Sequence, residues 1–341
     1  MELFAGVVED YLDFAAYAEG DSPTFAEWAR GVAEDSEVAA WIAGLGPDAL
    51  KQQPNLVFAA ARWHGVPAPG PYAALRRALL GDDGTIRETI MRRSTQTNEV
   101  GRLATLVPAF GLVSGAYARG SEPEAPPAAP LALIEVGASA GLNLYPDRWG
   151  YEWVTPDGPV TLGPASPRLR CEVSGPVPLP DRLPRVAWRG GVDLNPLDVT
   201  DDDAMAWLTT LVWPEHDDRR ALLRQAIEVA RREPPAIVRG DLLEELPALV
   251  ERAASEVPEA TVVVFHSAVI AYLDAPERRR FAAMMGDLVG SGSCHWVSNE
   301  GPRVLPEVTG GMAVPSGRFV LGVDGHAVAL VHGHGRTMAW R

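Results

Sequence analysis

The stretch LALIEVGASAGLNL, Leu131 to Leu144, sets an apolar run against a turn of small residues. Its first half predicts a buried strand ending at Glu135-Val136, and Gly137 to Gly141 predicts a tight turn. Two chemistries can be written on that turn. As Glu135-x-Gly137-x-Ser139-x-Gly141 it is a glycine-rich nucleotide loop led by an acid, where small residues let the backbone approach a ligand. As Gly137-x-Ser139-x-Gly141 it is a nucleophile elbow, with Ser139 as the attacking group of a hydrolase.

Downstream, short β-branched runs alternate with helical stretches. The runs are RVAWRGGVD, AIVRGD, TVVVFHS, CHWVSNEG and RFVLGVDGHAVALVHG; the helices are expected over Asp201 to Val212, Asp217 to Arg232, Leu242 to Ala254 and Pro276 to Val289. Strands separated by helices predict a parallel sheet, because each parallel connection must cross the sheet face. Phe319 to Val331, split by Asp324-Gly325, reads as a β-hairpin, so an antiparallel pair is expected to end the sheet. Prolines and glycines crowd residues 150–184, which predicts an insertion of loops or short extended pieces.

Upstream, apolar residues recur at helical spacing, as in Phe25, Trp28 and Val32. Residues 1–117 therefore read as a helical cap domain. Ala118 to Pro130, ARGSEPEAPPAAP, reads as a linker, and 131–341 as an α/β domain. The ten tryptophans, as in Leu211-Val-Trp213-Pro-Glu-His216, are expected in cores and interfaces.

Composition narrows the function. The formal charge of −15 opposes binding to phosphate backbones or anionic lipid, so neither nucleic acid nor membrane is an expected partner. No apolar run reaches the roughly 18 residues of a membrane span, and MELFAGVVEDYLDF carries acids where a secretion signal carries Lys or Arg. A cytoplasmic protein is expected. Cys171 and Cys294 lie far apart without CxxC spacing, and the seven histidines show no HExxH pairing, so no metal is expected. Nothing in the sequence specifies an oligomeric state.

An α/β sheet binds its ligand at the carboxyl ends of its strands. Those ends are Glu135-Val-Gly137, then Asp193, Gly240-Asp241, His266-Ser267 and Asn299-Glu300. An acid ending the first strand, a small-residue turn, and an acid ending the second form a layout that holds an adenosine ligand. From Leu131 onward this set resembles a class I S-adenosyl-L-methionine-dependent methyltransferase, a Rossmann-like fold that closes on an antiparallel hairpin. The whole chain also resembles the domain of unknown function 2332 family, through QTNEVGR, LIEVGASAGLNL, GVDLNPLDV, LVWPEH, VVFHSAVIAYL and WVSNEGP.

The methyltransferase resemblance implies S-adenosyl-L-methionine as cofactor and a small molecule as methyl acceptor. It places Glu135, Gly137, Ser139 and Gly141 about the methionine and ribose, Asp193 on the ribose, and Gly240-Asp241 beside the adenine. It departs from the usual pattern at Ser139, where such loops carry Gly. It departs again at Asp193, more than fifty residues after Gly141 where about 20 are typical. On the substrate side, His266 is the expected general base, with Tyr272 and Glu300 near it. The alternative for the acids and glycines is structural, with Asp193 and Asp241 as caps.

The segment before the apolar helix VGRLATLVPAFGLV offers Gln96, Asn98, Glu99 and Arg102 to the same crevice, with Thr95 or Thr97 as its cap. For the hydrolase, candidate partners follow Ser139 in order at Asp274 or Asp324, then His332 or His334. A noncatalytic adenosyl-binding or interaction module is the third reading.

Overall fold

The computed structural model describes residues 5–96, 98–115 and 128–341. Thr97 and most of the expected linker lie outside them. Among the described residues are thirteen α-helices and eleven strands, in two compact units.

The first unit joins residues up to 97 with Thr200–Gln225. It holds α1 (Ala5–Ala18), α2 (Pro23–Glu34), α3 (Ser36–Ala43), α4 (Ala49–Gln52), α5 (Pro54–Trp63), α6 (Tyr72–Leu80) and α7 (Thr85–Arg92). Local chemistry starts these helices: Ser22 accepts from the Phe25 N–H and Pro23 takes the first turn of α2, where a missing N–H costs nothing. Phe25, Trp28 and Val32 are buried as their spacing predicted. Trp207 and Trp213, far along the chain, complete this core, and the Trp213 indole donates to Asn55 Oδ1 at 2.9 Å. Arg93 lies 5.4 Å from the rings of both Trp63 and Trp207, a cation held over two aromatic faces.

The second unit joins Asn98–Val199 with Ala226–Arg341, so the unit boundary falls at Asn98. In it, α8 (Leu103–Ser114) precedes the sheet. The strands are β1 (Leu131–Val136), β2 (Gly150–Thr155), β3 (Gly158–Leu162), β4 (Arg168–Ser174), β5 (Val186–Asp193), β6 (Ala236–Arg239), β7 (Thr261–Ser267), β8 (His295–Glu300), β9 (Arg318–Val323), β10 (His326–His332) and β11 (Thr337–Trp340). The remaining helices are α9 (Asp202–Leu211), α10 (Asp217–Arg232), α11 (Leu242–Glu256), α12 (Ala275–Gly290) and α13 (Pro306–Thr309). Of these, α9 belongs to the first unit, and α10 begins there.

One mixed sheet runs β3-β2-β4-β11-β10-β9-β8-β7-β1-β5-β6. Strands β6, β5, β1, β7 and β8 are mutually parallel, and β9 turns antiparallel against β8. The chain steps from β1 outward to β5 and β6, then returns to β7 and β8 on the other side. Its order therefore reverses between β1 and β7, the position where such sheets open a crevice.

The expected hairpin is β9–β10, turned at Asp324-Gly325, but it does not end the sheet. Strand β11 pairs with β10, and β4 pairs with β11, so the 150–184 insertion continues the same sheet as β2, β3 and β4. The alternation that makes β4 a strand was present in Arg168-Leu-Arg-Cys-Glu-Val-Ser174, where Leu169, Cys171 and Val173 are buried and their neighbours exposed.

Register assigns each strand residue to a side of the sheet. Glu135 pairs with Gly191 and Phe265, and Phe265 with Val297, so these share one side. On that side α8 covers the sheet, and Phe110 meets Phe265 at 5.3 Å. Ala132, Ile134 and Val136 face the other way, into a core built with α11 and α12.

Candidate active site at the strand ends

Two residues beyond Phe265 and Val297, Ser267 and Asn299 are again register partners, on the side that carries Glu135. The Asn299 amide donates to Ser267 Oγ at 2.8 Å. Above them lies the segment that begins α8. Glu99 accepts from the Gly101 N–H, which starts a 3-10 turn, and Arg102 closes that turn. Its Nη1 donates to the Ser267 carbonyl at 3.0 Å and its Nε to the Gly333 carbonyl at 2.8 Å. The Arg102 charge also acts on Glu135. One buried guanidinium thus joins the end of β7 to the loop after β10.

Glu135 is 5 % exposed and accepts from Asn143 Nδ2 at 3.0 Å through Oε1. Burial pushes its carboxyl up to about 8; the Asn143 hydrogen bond and Arg102 oppose that rise, and Asp193 adds to it. Glu135 Oε2 and Asn143 Oδ1 are buried without a hydrogen-bond partner among the described residues.

Asp193 braces the turn after β1. One oxygen accepts from the Ser139 N–H at 2.8 Å, the other from Asn195 at 2.7 Å. Ser139 has φ +51°, a left-handed conformation rare outside glycine, and Asp193 and Asn98 hold it there. Asn98 Nδ2 donates to Ser139 Oγ at 2.8 Å. The structure therefore gathers Asn98, Glu99, Arg102, Glu135, Ser139 and Asp193 in one unit. Ser267 and Asn299, named from the sequence only as strand ends, His334, named only for the hydrolase, and Asn143, given no role, join them. Asn143 carries a signal of its own, since it lies eight residues after Glu135, just past the turn.

Other expectations change. His266 is fully buried on the opposite side of the sheet. Its Nδ1 meets Glu300 Oε1 at 2.8 Å and its Nε2 accepts the Trp296 indole N–H at 3.0 Å. An imidazole with its lone pair so occupied is not a base for a ligand. Glu300 Oε1 also accepts from the Val269 and Ile270 N–H groups, which pins the loop after β7. Tyr272 is 73 % exposed, and Gln96 belongs to the first unit.

Asp241 is an exposed N-cap, accepting from Leu243 at the start of α11. The glycines meet protein: a Cβ on Gly137 would stand 2.1 Å from Val269 Cγ2, on Gly141 2.8 Å from Pro235, and on Gly240 2.5 Å from Glu245. They permit close packing of loops, the structural alternative drawn from the sequence. With φ +67° as well, Gly137→Ala is expected to cost about 2–5 kcal/mol in a urea unfolding series. Val269→Ala should recover part of that loss.

A family model described as an uncharacterized protein conserved in bacteria, DUF2332, matches residues 8–340. The chain belongs to this family. No curated protein and no solved structure matches it. In this DUF2332 chain, no helix among the described residues is long and apolar enough to cross a membrane.

Proposed function

We propose that this DUF2332 chain binds S-adenosyl-L-methionine at the ends of β1 and β5 and transfers its methyl group to a small molecule. The observation that carries the reading is the acceptor set at the point of chain reversal: Glu135 Oε2 and Asn143 Oδ1, buried without donors, with Asp193 beside them. Such acceptors suit the ammonium and ribose hydroxyls of an adenosyl amino acid. Each Asp193 oxygen has accepted one backbone N–H and keeps a second lone pair.

The fit lies in these acceptors and not in the glycines, which are packed by side chains. The cofactor supplies the reactive sulfonium; the chain's residues hold and orient it and shield it from water. Asn143 and Glu135 would take its ammonium, and Asp193 its ribose. Calorimetric titration with S-adenosylhomocysteine tests this: wild type is expected to bind, and Asp193→Ala to lose binding. Absence of heat with both the homocysteine and methionine forms would end the proposal.

The serine and acids of the hydrolase reading have other partners. Ser139 Oγ accepts from an amide, Asp274 caps α12, and Asp324 holds His295 Nδ1 at 2.7 Å. His295 starts β8, two residues below the level of Glu135 and four below that of Ser267. A fluorophosphonate probe is accordingly expected to leave Ser139 unlabelled, as read by peptide mass spectrometry.

A further inference from the structure

Of the histidines at the carboxyl ends of the strands, His334 has the arrangement that His266 lacks. Its Nδ1 lies 3.2 Å from Glu99 Oε2, within ion-pair reach though off the line of an ideal hydrogen bond. Glu99 is itself fixed by the Gly101 N–H, and the carbonyl of the preceding Gly333 is held by Arg102. Further support comes from His332, whose Nδ1 accepts from the His334 N–H at 3.1 Å, the two rings standing 5.4 Å apart. The His334 side chain is 18 % exposed, and its Nε2 carries no hydrogen bond from the described residues and is not among the buried atoms. A carboxylate facing Nδ1 and an open Nε2 make up the arrangement by which a base is oriented for proton abstraction. Arg102, which holds the His334 loop, is the same residue whose charge acts on Glu135.

We propose that His334, oriented by Glu99, is the general base of this site and that the ligand it serves carries a hydroxyl of phenol or enol type. The inference rests on the methyl-transfer reading for its second substrate. In the step, the ligand's O–H bond breaks, the proton passes to Nε2, and the electron pair stays on oxygen, which becomes the nucleophile for the methyl group. The proton then leaves Nε2 to water. A phenol or enol hydroxyl suits such a base, because the neutral O–H is a poor nucleophile and its anion a good one.

The test uses 4-nitrophenol, whose anion is coloured, with the full chain in the presence and absence of S-adenosylhomocysteine. The wild type is expected to bind the probe and raise its ionised fraction above that of free solution at the same pH. His334→Gln and Glu99→Gln should each lower that increase by about tenfold or more, the scale on which a positioned base acts. Side-chain nitrogen spectra should show His334 with its proton on Nδ1 in the wild type and a mixture of tautomers in Glu99→Gln. Probe bound without extra ionisation, ionisation unchanged in His334→Gln, or no binding of the phenol would each overturn the proposal. If S-adenosylhomocysteine fails to bind while the ionisation and the tautomer hold, the cofactor reading falls and the base remains.

Discussion

Replacing Glu135 by Gln is expected to make the protein more stable than wild type above pH 8 and to flatten its dependence on pH. Burial raises the Glu135 carboxyl from an ordinary 4.5 to about 8. In that interval the folded chain holds a proton that the unfolded chain has released, so stability is fully present below about 4.5. It falls as pH rises and levels off above about 8. Each pKa unit is worth about 1.4 kcal/mol, so the wild type gives up a few kcal/mol across the window. Gln removes the titration and keeps an oxygen that can accept from Asn143 Nδ2. Thermal or urea midpoints from pH 4 to 9 check this: parallel curves for the two proteins would mean that Glu135 is solvated rather than buried.

The second large effect is at Arg102. Arg102→Ala is expected to cost about 3–5 kcal/mol, because truncating one member of a buried charged network leaves the others without their counterpart. The Ser267 and Gly333 carbonyls lose their donors and Glu135 loses the cation that opposes its rise. Arg102→Lys should restore only part of the loss, since one ammonium cannot span two carbonyls from a planar fork. Equilibrium unfolding measures both variants, and a loss below about 1 kcal/mol for Arg102→Ala would place the side chain in solvent.

Much of the second unit was legible in the sequence because its signals are local. Helices expected at Leu242 to Ala254 and Pro276 to Val289 appear as Leu242–Glu256 and Ala275–Gly290, and the Asp324-Gly325 turn makes the hairpin it spells. The full width of the sheet was not, because β4 and β11 pair across more than one hundred and fifty residues and no local pattern encodes that partnership. Glu135 and Asp193 stand out in the sequence by their places at strand ends, and the structure adds that Asp193 accepts the Ser139 N–H.

His266 misled because position along a strand does not state which side of the sheet a side chain takes until its neighbours are known. Here alternation turns it under Trp296 and Phe281. His334 was passed over as a cofactor-site residue because its partner Glu99 lies over two hundred residues away and meets it only through folding.

The most direct test of the central claim is a crystal structure of the chain grown with S-adenosylhomocysteine. The account predicts the ligand at the ends of β1 and β5, its ammonium on Glu135 and Asn143 and its ribose on Asp193. Ligand bound elsewhere, or crystals grown at saturating ligand with none at these three residues, would contradict it.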